Sequence, residues 1–404
     1  NRHCHRRKRI DMKRFLIVLL LLGCGIFSSI SAQVIGNNAF PQAQLSNQSE
    51  ISLVTFAPGD QLHAAFGHAV IWVRDPLQNI DKAYSYGTFD FNTDHFYWKF
   101  LKGTLPYSIS FNSMNDLVYY YSQIEHRSIK VQTMHLDSLQ KNTIYQALET
   151  NLLPENKNYR YQFFNDNCAT RLRDIIEQAA PHAFHWPTYK NLAGLSYRDW
   201  MNRYLATNSW VTLGMNLALG IPSNQKANAS ESCYLPDNLS LALEMAEVNG
   251  QKFADAPLQI YQAPEAEKAG FDVFGPVVML QLLIALIVFL SIKFRNNARV
   301  LFRMDIVLFG VLGLLAWFIF FLATGTDHHV MAWNPASLML FPLNFPLVIW
   351  FARSAKKVIW KHYLSVVCVL FFVGLIWSTL LFWPMALAGL PWGIRLFALR
   401  VRAS

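Results

Sequence analysis

Long apolar runs dominate the last third of the chain and limit what it can fold into. They cover residues 274–292, 306–324, 335–352 and 363–383, with a shorter run over 385–399. The first, second and fourth approach the ~20 residues a helix needs to cross a bilayer. The third holds Pro342 and Pro346, and the fifth is short and carries Arg395. The expectation is an all-α transmembrane bundle of about five helices over residues 271–404. Lys293, Arg295, Arg299 and Arg303 follow the first run, and Arg353, Lys356, Lys357 and Lys361 follow the third. The loops 325–334 and 384–391 have no Lys or Arg. Basic loops stay in the cytoplasm, so residues 33–270 are expected outside it.

The formal charge is +9, which would suit a polyanionic partner. Its distribution argues otherwise. Residues 1–32 hold seven basic residues and one acid, and residues 271–404 hold eleven and three. The region 33–270 holds 17 basic and 22 acidic residues, so no nucleic acid is expected as a partner. At 53% apolar and 15% charged, the chain is also not a disordered one.

The start reads as a leader. Lys13 and Arg14 precede the apolar stretch 15–22 and small residues ending Ser31-Ala32, as in a secretory signal. Met12 fits an initiator. Leu21-Leu22-Gly23-Cys24 also resembles a lipobox, and an uncleaved anchor is a third reading. Cys368 falls in an apolar run, which leaves Cys168 and Cys233 for the exported domain. Two cysteines allow one disulfide outside the cytoplasm but no disulfide scaffold. The exported domain must therefore build a real core.

That domain reads as α+β. Residues 51–56, 67–73 and 83–86 have strand character, and 139–151 and 169–180 have helical character. Residues 222–232 read as a polar surface loop, and 252–270 as the tether into the membrane. Two segments carry chemistry. In Phe66-Gly67-His68-Ala69-Val70-Ile71-Trp72, alternation places Phe66, His68, Val70 and Trp72 on one face. A histidine there is either a satisfied core residue or a base. In Asn165-Asp166-Asn167-Cys168-Ala169-Thr170-Arg171, cap residues precede a helix with Leu172, Ile175, Ile176 and Ala179 on its buried face. Cys168 at that start is either a small buried thiol or a nucleophile with a lowered pKa. A helix bearing Cys168, packed on a sheet bearing His68, would set thiol and base face to face. Arg171 is expected to pair with Asp174 or to meet a lipid phosphate. No metal is expected, because Asp327-His328-His329 is too small a ligand set.

The order His then Cys matches the permuted branch of the papain/NlpC-like fold. The stretch from Pro154-Glu155-Asn156 through Tyr159-Arg160-Tyr161-Gln162-Phe163-Phe164 to Asn167-Cys168-Ala169-Thr170-Arg171 resembles the signature of the Lnb-type lipoprotein N-acyltransferases. Phe66-Gly67-His68, Tyr86-Gly87-Thr88-Phe89-Asp90-Phe91 and Thr326-Asp327-His328 resemble it too. Asn165 stands where the family pattern leads one to expect an aromatic residue. The resemblance implies an inner-membrane enzyme without a cofactor. A phospholipid would acylate Cys168, and the amine of a diacylated lipoprotein would take the acyl group. It implies His68 as base, oriented by Tyr86, Asp90 or His95, and Asn167, Arg171, Asp327 and His328 on the substrate side. Two alternatives stay open at this point: an NlpC-like peptidase or amidase acting on cell-wall peptide, and a non-enzymatic membrane assembly protein.

Overall fold

The computed structural model describes residues 44–59, 61–206, 209–264, 272–346 and 357–402. The expected leader, with Cys4 and Cys24, and the loop residues Arg353 and Lys356 lie outside the described residues. Seven antiparallel strands form one sheet, in the order β6-β4-β3-β2-β1-β5-β9. They are β1 (Glu50–Phe56), β2 (His68–Asp75), β3 (Ile80–Thr88), β4 (Pro106–Asn112), β5 (Ile129–Thr133), β6 (Asn158–Arg160) and β9 (Leu258–Tyr261). The short β7 (Glu247–Val248) and β8 (Gln251–Lys252) pair separately. The expected tether thus begins as sheet: β9 is an edge strand on β5.

Strand β1 is buried at all but its first position and β2 buries residues on both faces, because both faces of the sheet are covered. On one face, Ile51, Leu53, Ala69, Ile71, Val73, Tyr84 and Tyr86 share a core with α3 (Ser138–Leu152), α4 (Cys168–Ala179) and α8 (Pro236–Met245). On the other, Val54, Phe56, Val70 and Ala83 pack on α2 (Met114–Tyr119) and the π-turn Tyr120–Ile124 that continues it. Helix α4 buries Leu172, Ile175 and Ile176, the face its periodicity predicted.

The C-terminal region is helical. Helices α9 (Pro276–Lys293), α10 (Ala298–Thr324) and α12 (Lys357–Leu381) hold segments long and apolar enough to cross a membrane. The third run instead opens with α11 (Ala336–Leu340) and breaks at Phe341, whose φ of 46° precedes Pro342. The fifth forms α13 (Pro384–Arg402), and the irregular Arg395 has a partner. Its guanidinium is buried and forks onto Asp305 of α10 at 2.6 and 2.9 Å.

Between the sheet and these helices runs a connecting region that includes α5 (Tyr197–Asn202), α6 (Trp210–Ala218) and α7 (Ala229–Ser232). Leu213 and Leu217 of α6 belong to the core of the membrane bundle, beside Phe309, Ala316 and Trp392. Buried Arg198 bonds Asn216 O, Leu219 O and Gly220 O, while Asn334 Nδ2 bonds Leu217 O and Ala218 O. The carbonyl end of α6 is thereby satisfied from both regions. The stretch 222–232 is no surface loop, since Ser223, Ala227, Ala229 and Ser232 are all buried.

Candidate active site

Cys168 is the first residue of α4, and its position follows from a dense cap. Asn167 Oδ1 accepts from the N–H groups of Ala169 and Thr170, and Thr170 Oγ1 accepts from Asn167 N–H. Asn167 Nδ2 donates to Phe163 O and Tyr234 O. All four valences of this amide are therefore used, and Asn167 clamps the helix start. Arg171 forks onto Asp166 at 2.6 and 2.8 Å and lies 3.9 Å from the centre of the Tyr159 ring. Its expected partner Asp174 is bonded to Arg173 instead. Asp166 lies in the turn just before the helix, where the fork of Arg171 reaches back to it in a planar two-point contact.

The thiol is buried. The N–H groups of Ala69, Ala169 and Cys168 itself favour the thiolate, but burial outweighs them and pushes the Cys168 pKa up to about 11. The expected lowering at a helix start is overridden by desolvation. The disulfide does not form: Cys168 and Cys233 are both free and buried. Tyr107, Tyr121, Tyr159 and Tyr161 are near enough to Cys168 for its charge to raise their own pKa values.

His68 opens β2 and shares the face of Val70 and Trp72, as alternation requires. Phe66 leaves that row, because Gly67 turns the chain at φ 76°, and it packs on Phe163 instead. The row faces α2, however, and α4 lies on the other side of the sheet. The expected face-to-face meeting of imidazole and thiol is not found. The described residues hold no hydrogen bond between His68 and Cys168. What links them is the amide of Ala69, the peptide bond from His68, whose N–H favours the Cys168 thiolate.

His68 Nε2 lies 2.9 Å from Ser85 Oγ. A Cβ at Gly87 would come within 2.7 Å of His68 Cε1, so the bare backbone there makes room for the ring. Burial, with the field of Arg127, lowers the His68 pKa to about 4, so the imidazole is neutral at physiological pH. Among the described residues, none of Tyr86, Asp90 and His95 is hydrogen-bonded to it. The Tyr86 hydroxyl accepts from Asn151 Nδ2 and its carbonyl accepts from Tyr159 OH, both on the α4 side. Asp90 is exposed in a turn and accepts from Asn92 N–H. His95 is exposed before α1 (Phe96–Lys102), with φ 56°. Ser85 is the side chain that holds the ring instead. Its signal was available in the sequence, since Ser85 and Gly87 alternate on one face of β3, the strand next to β2.

Asp327 and His328 sit where α10 meets the sheet domain. Asp327 pairs with Arg160 at 2.8 Å, and its N–H donates to Lys102 O. His328 is half-buried, and burial lowers its pKa although the nearby backbone of Phe100 and Leu101 favours the charged form. It lies close against Gly103, whose φ of 70° ends α1. Asp327 therefore caps the end of α1, and the His328 ring packs beside it. That helix exposes Tyr97, Trp98 and Phe100, and Trp98 stacks on Phe321 of α10 at 5.7 Å.

A cysteine-bearing helix on a sheet, docked by an aromatic helix onto apolar spans, narrows the family. Residues 38–194 match the Lnb N-terminal periplasmic domain, and residues 267–401 match the Lnb transmembrane domain. The chain belongs to the Lnb family. No curated protein and no solved structure matches it. Lnb membership makes it a membrane-bound protein with a periplasmic domain, in a family of lipoprotein-processing membrane proteins.

Proposed function

We propose that this Lnb protein is a lipoprotein N-acyltransferase of the inner membrane, working through a thioester on Cys168. In the first half, His68 takes the Cys168 proton as sulfur attacks an ester carbonyl of a phospholipid. The ester C–O bond breaks, and the leaving alkoxide receives that proton. In the second half, the α-amine of a diacylglyceryl-cysteine lipoprotein attacks the thioester. The C–S bond breaks, an amide forms, and the amine's proton returns by way of His68 to the sulfur. Splitting the transfer in this way replaces one difficult step by two easier ones.

One observation carries this reading: an aromatic row runs from the membrane side to the thiol. Phe96 of α1 meets Phe91 at 5.0 Å, Phe91 meets Phe89 at 5.0 Å, and Phe89 meets Tyr107 at 5.2 Å. Tyr107 stacks on Tyr161 at 4.3 Å, and both tyrosines feel the charge of Cys168. Such a row suits an acyl chain entering from the bilayer, and it offers little to a hydrophilic cell-wall peptide. Aromatic residues at the outer end of a span also favour the membrane interface. Thiol and imidazole are both neutral at rest, so the proton leaves the sulfur only as its bond to the acyl carbon forms.

The deciding experiment incubates the full-length protein with labelled phospholipid and analyses Cys168 by mass spectrometry. A hydroxylamine-sensitive acyl group on Cys168 is expected. Folded protein that never acquires one, or a Cys168→Ala variant that still N-acylates lipoproteins, would overturn the proposal.

A further inference from the structure

Arg127 lies just before β5 and carries no motif, yet it is the residue whose chemistry is least accounted for. Its side chain is 5% exposed. Nε donates to Ala57 O at 2.5 Å, and Nη1 donates to Glu125 Oε2 at 2.8 Å. Nη2 is buried and has no hydrogen-bond partner among the described residues. Glu125 is itself shared, since it also accepts from Tyr120 OH. A buried N–H of a charged group without an acceptor costs more than the ~1–3 kcal/mol of a neutral one. A fold keeps such a group most readily where something else supplies the oxygen.

The surroundings place that oxygen. The guanidinium lies 4.9 Å from the centre of the Tyr121 ring. On that ring stack Phe56, at 3.7 Å, and His68, at 6.5 Å. Arg127 is thus one ring removed from the imidazole, and its field reaches both His68 and Cys168. A guanidinium nitrogen with its N–H groups unused matches a single phosphate oxygen. In a glycerophospholipid the phosphate and the acyl esters share one glycerol backbone, so a cation near the thiol is well placed to hold the phosphate.

We propose that Nη2 of Arg127 binds a phosphate oxygen of the acyl donor, so that this site selects phosphodiester lipids over neutral acylglycerols. The inference rests on the acyl-transfer reading above and specifies its donor. The same guanidinium beside the oxyanion of the tetrahedral intermediate would serve any ester equally, and the experiment separates the two.

Full-length protein in mixed micelles is given dioctanoyl phosphatidylethanolamine or dioctanoylglycerol, and acylation of Cys168 is followed by mass spectrometry. The wild type is expected to favour the phospholipid. Arg127→Gln should lower the ratio of kcat/KM for phospholipid over acylglycerol by at least ~10-fold, as for loss of a charge-assisted bond. Arg127→Lys should restore part of it. An unchanged ratio, with both donors impaired alike, overturns the proposal. If the variants do not fold, the wild type decides. A non-cleavable diether phosphatidylethanolamine should slow alkylation of Cys168 more than the matching diether glycerol does, and equal protection overturns the proposal. No acylation of wild-type Cys168 from either donor would instead defeat the acyl-transfer reading itself.

Discussion

His68 Nε2 rests 2.9 Å from Ser85 Oγ, on the neighbouring strand and away from the helix that carries Cys168. The serine holds the ring, and Gly87 two residues on leaves space for it. Substituting Gly87 by Ala is expected to displace the imidazole and to lower Cys168 acylation by ~100-fold, the scale of a 1 Å misplacement. Ser85→Ala should cost less, because it frees the ring without pushing it. Single-turnover acylation measures both, and wild-type rates in Gly87→Ala would show that His68 is not the base.

The pKa values of the pair predict a distinctive pH response. With Cys168 raised to about 11, alkylation of Cys168 by iodoacetamide should be slow at pH 7 and climb steadily toward pH 11. A plateau near pH 7 would reveal a preformed thiolate. Burial of neutral His68 also links pH to stability. Its folded pKa, about 4, lies below the ordinary histidine value of 6.5, so the unfolded chain binds more protons between these values. Stability should therefore be fully present above pH 6.5 and fall by up to about 3 kcal/mol as pH drops toward 4. Thermal unfolding of wild type against His68→Gln across that window tests the sign.

Asp166 and Arg171 form a fork that braces the turn before Cys168. Each side chain is about one-third exposed, at 35% and 30%, so solvent weakens the pair. Arg171→Lys loses the planar contact and the stacking on Tyr159. It should cost about 1 kcal/mol in thermal unfolding and slow acylation more than that loss suggests, because the cap carries the nucleophile. An Arg171→Lys protein with wild-type acylation would show that the fork serves stability alone.

At the junction of the two domains, His328→Ala should matter more than Asp327→Asn. The Asp327–Arg160 pair is exposed and worth less than ~1 kcal/mol. His328 is half-buried and packs against Gly103 at the end of α1. Its loss should raise protease cleavage within 89–105 and reduce activity on vesicle-borne phospholipid. Equal behaviour of the two variants would contradict this ranking.

In the bundle, removing one partner of the buried pair Arg395–Asp305 should be severe, at about 3–5 kcal/mol. Arg395→Met combined with Asp305→Leu should recover most of the loss. Unfolding in detergent of both singles and the double measures the coupling.

Local periodicity made much of this legible. The buried face of α4, the strands around His68 and the apolar spans could be read because each depends on residues near in sequence. The side of the sheet that receives α4 depends on long-range packing, and alternation along β2 says nothing about it. The same limit hid the Asp166 partner of Arg171, the Asp305 partner of Arg395 and the unpartnered Nη2 of Arg127. The broken third span was foreshadowed by Pro342 and Pro346.

Helix α6 has a practical consequence. Leu213 and Leu217 lie more than fifty residues before the first span, yet their neighbours are Phe309, Ala316 and Trp392. Cutting the chain ahead of α9 would strip those neighbours away and leave an oily segment facing water in the released half. The periplasmic and membrane portions are therefore interlocked parts of one folding unit, and a soluble fragment ending near residue 264 is expected to aggregate unless α6 is redesigned.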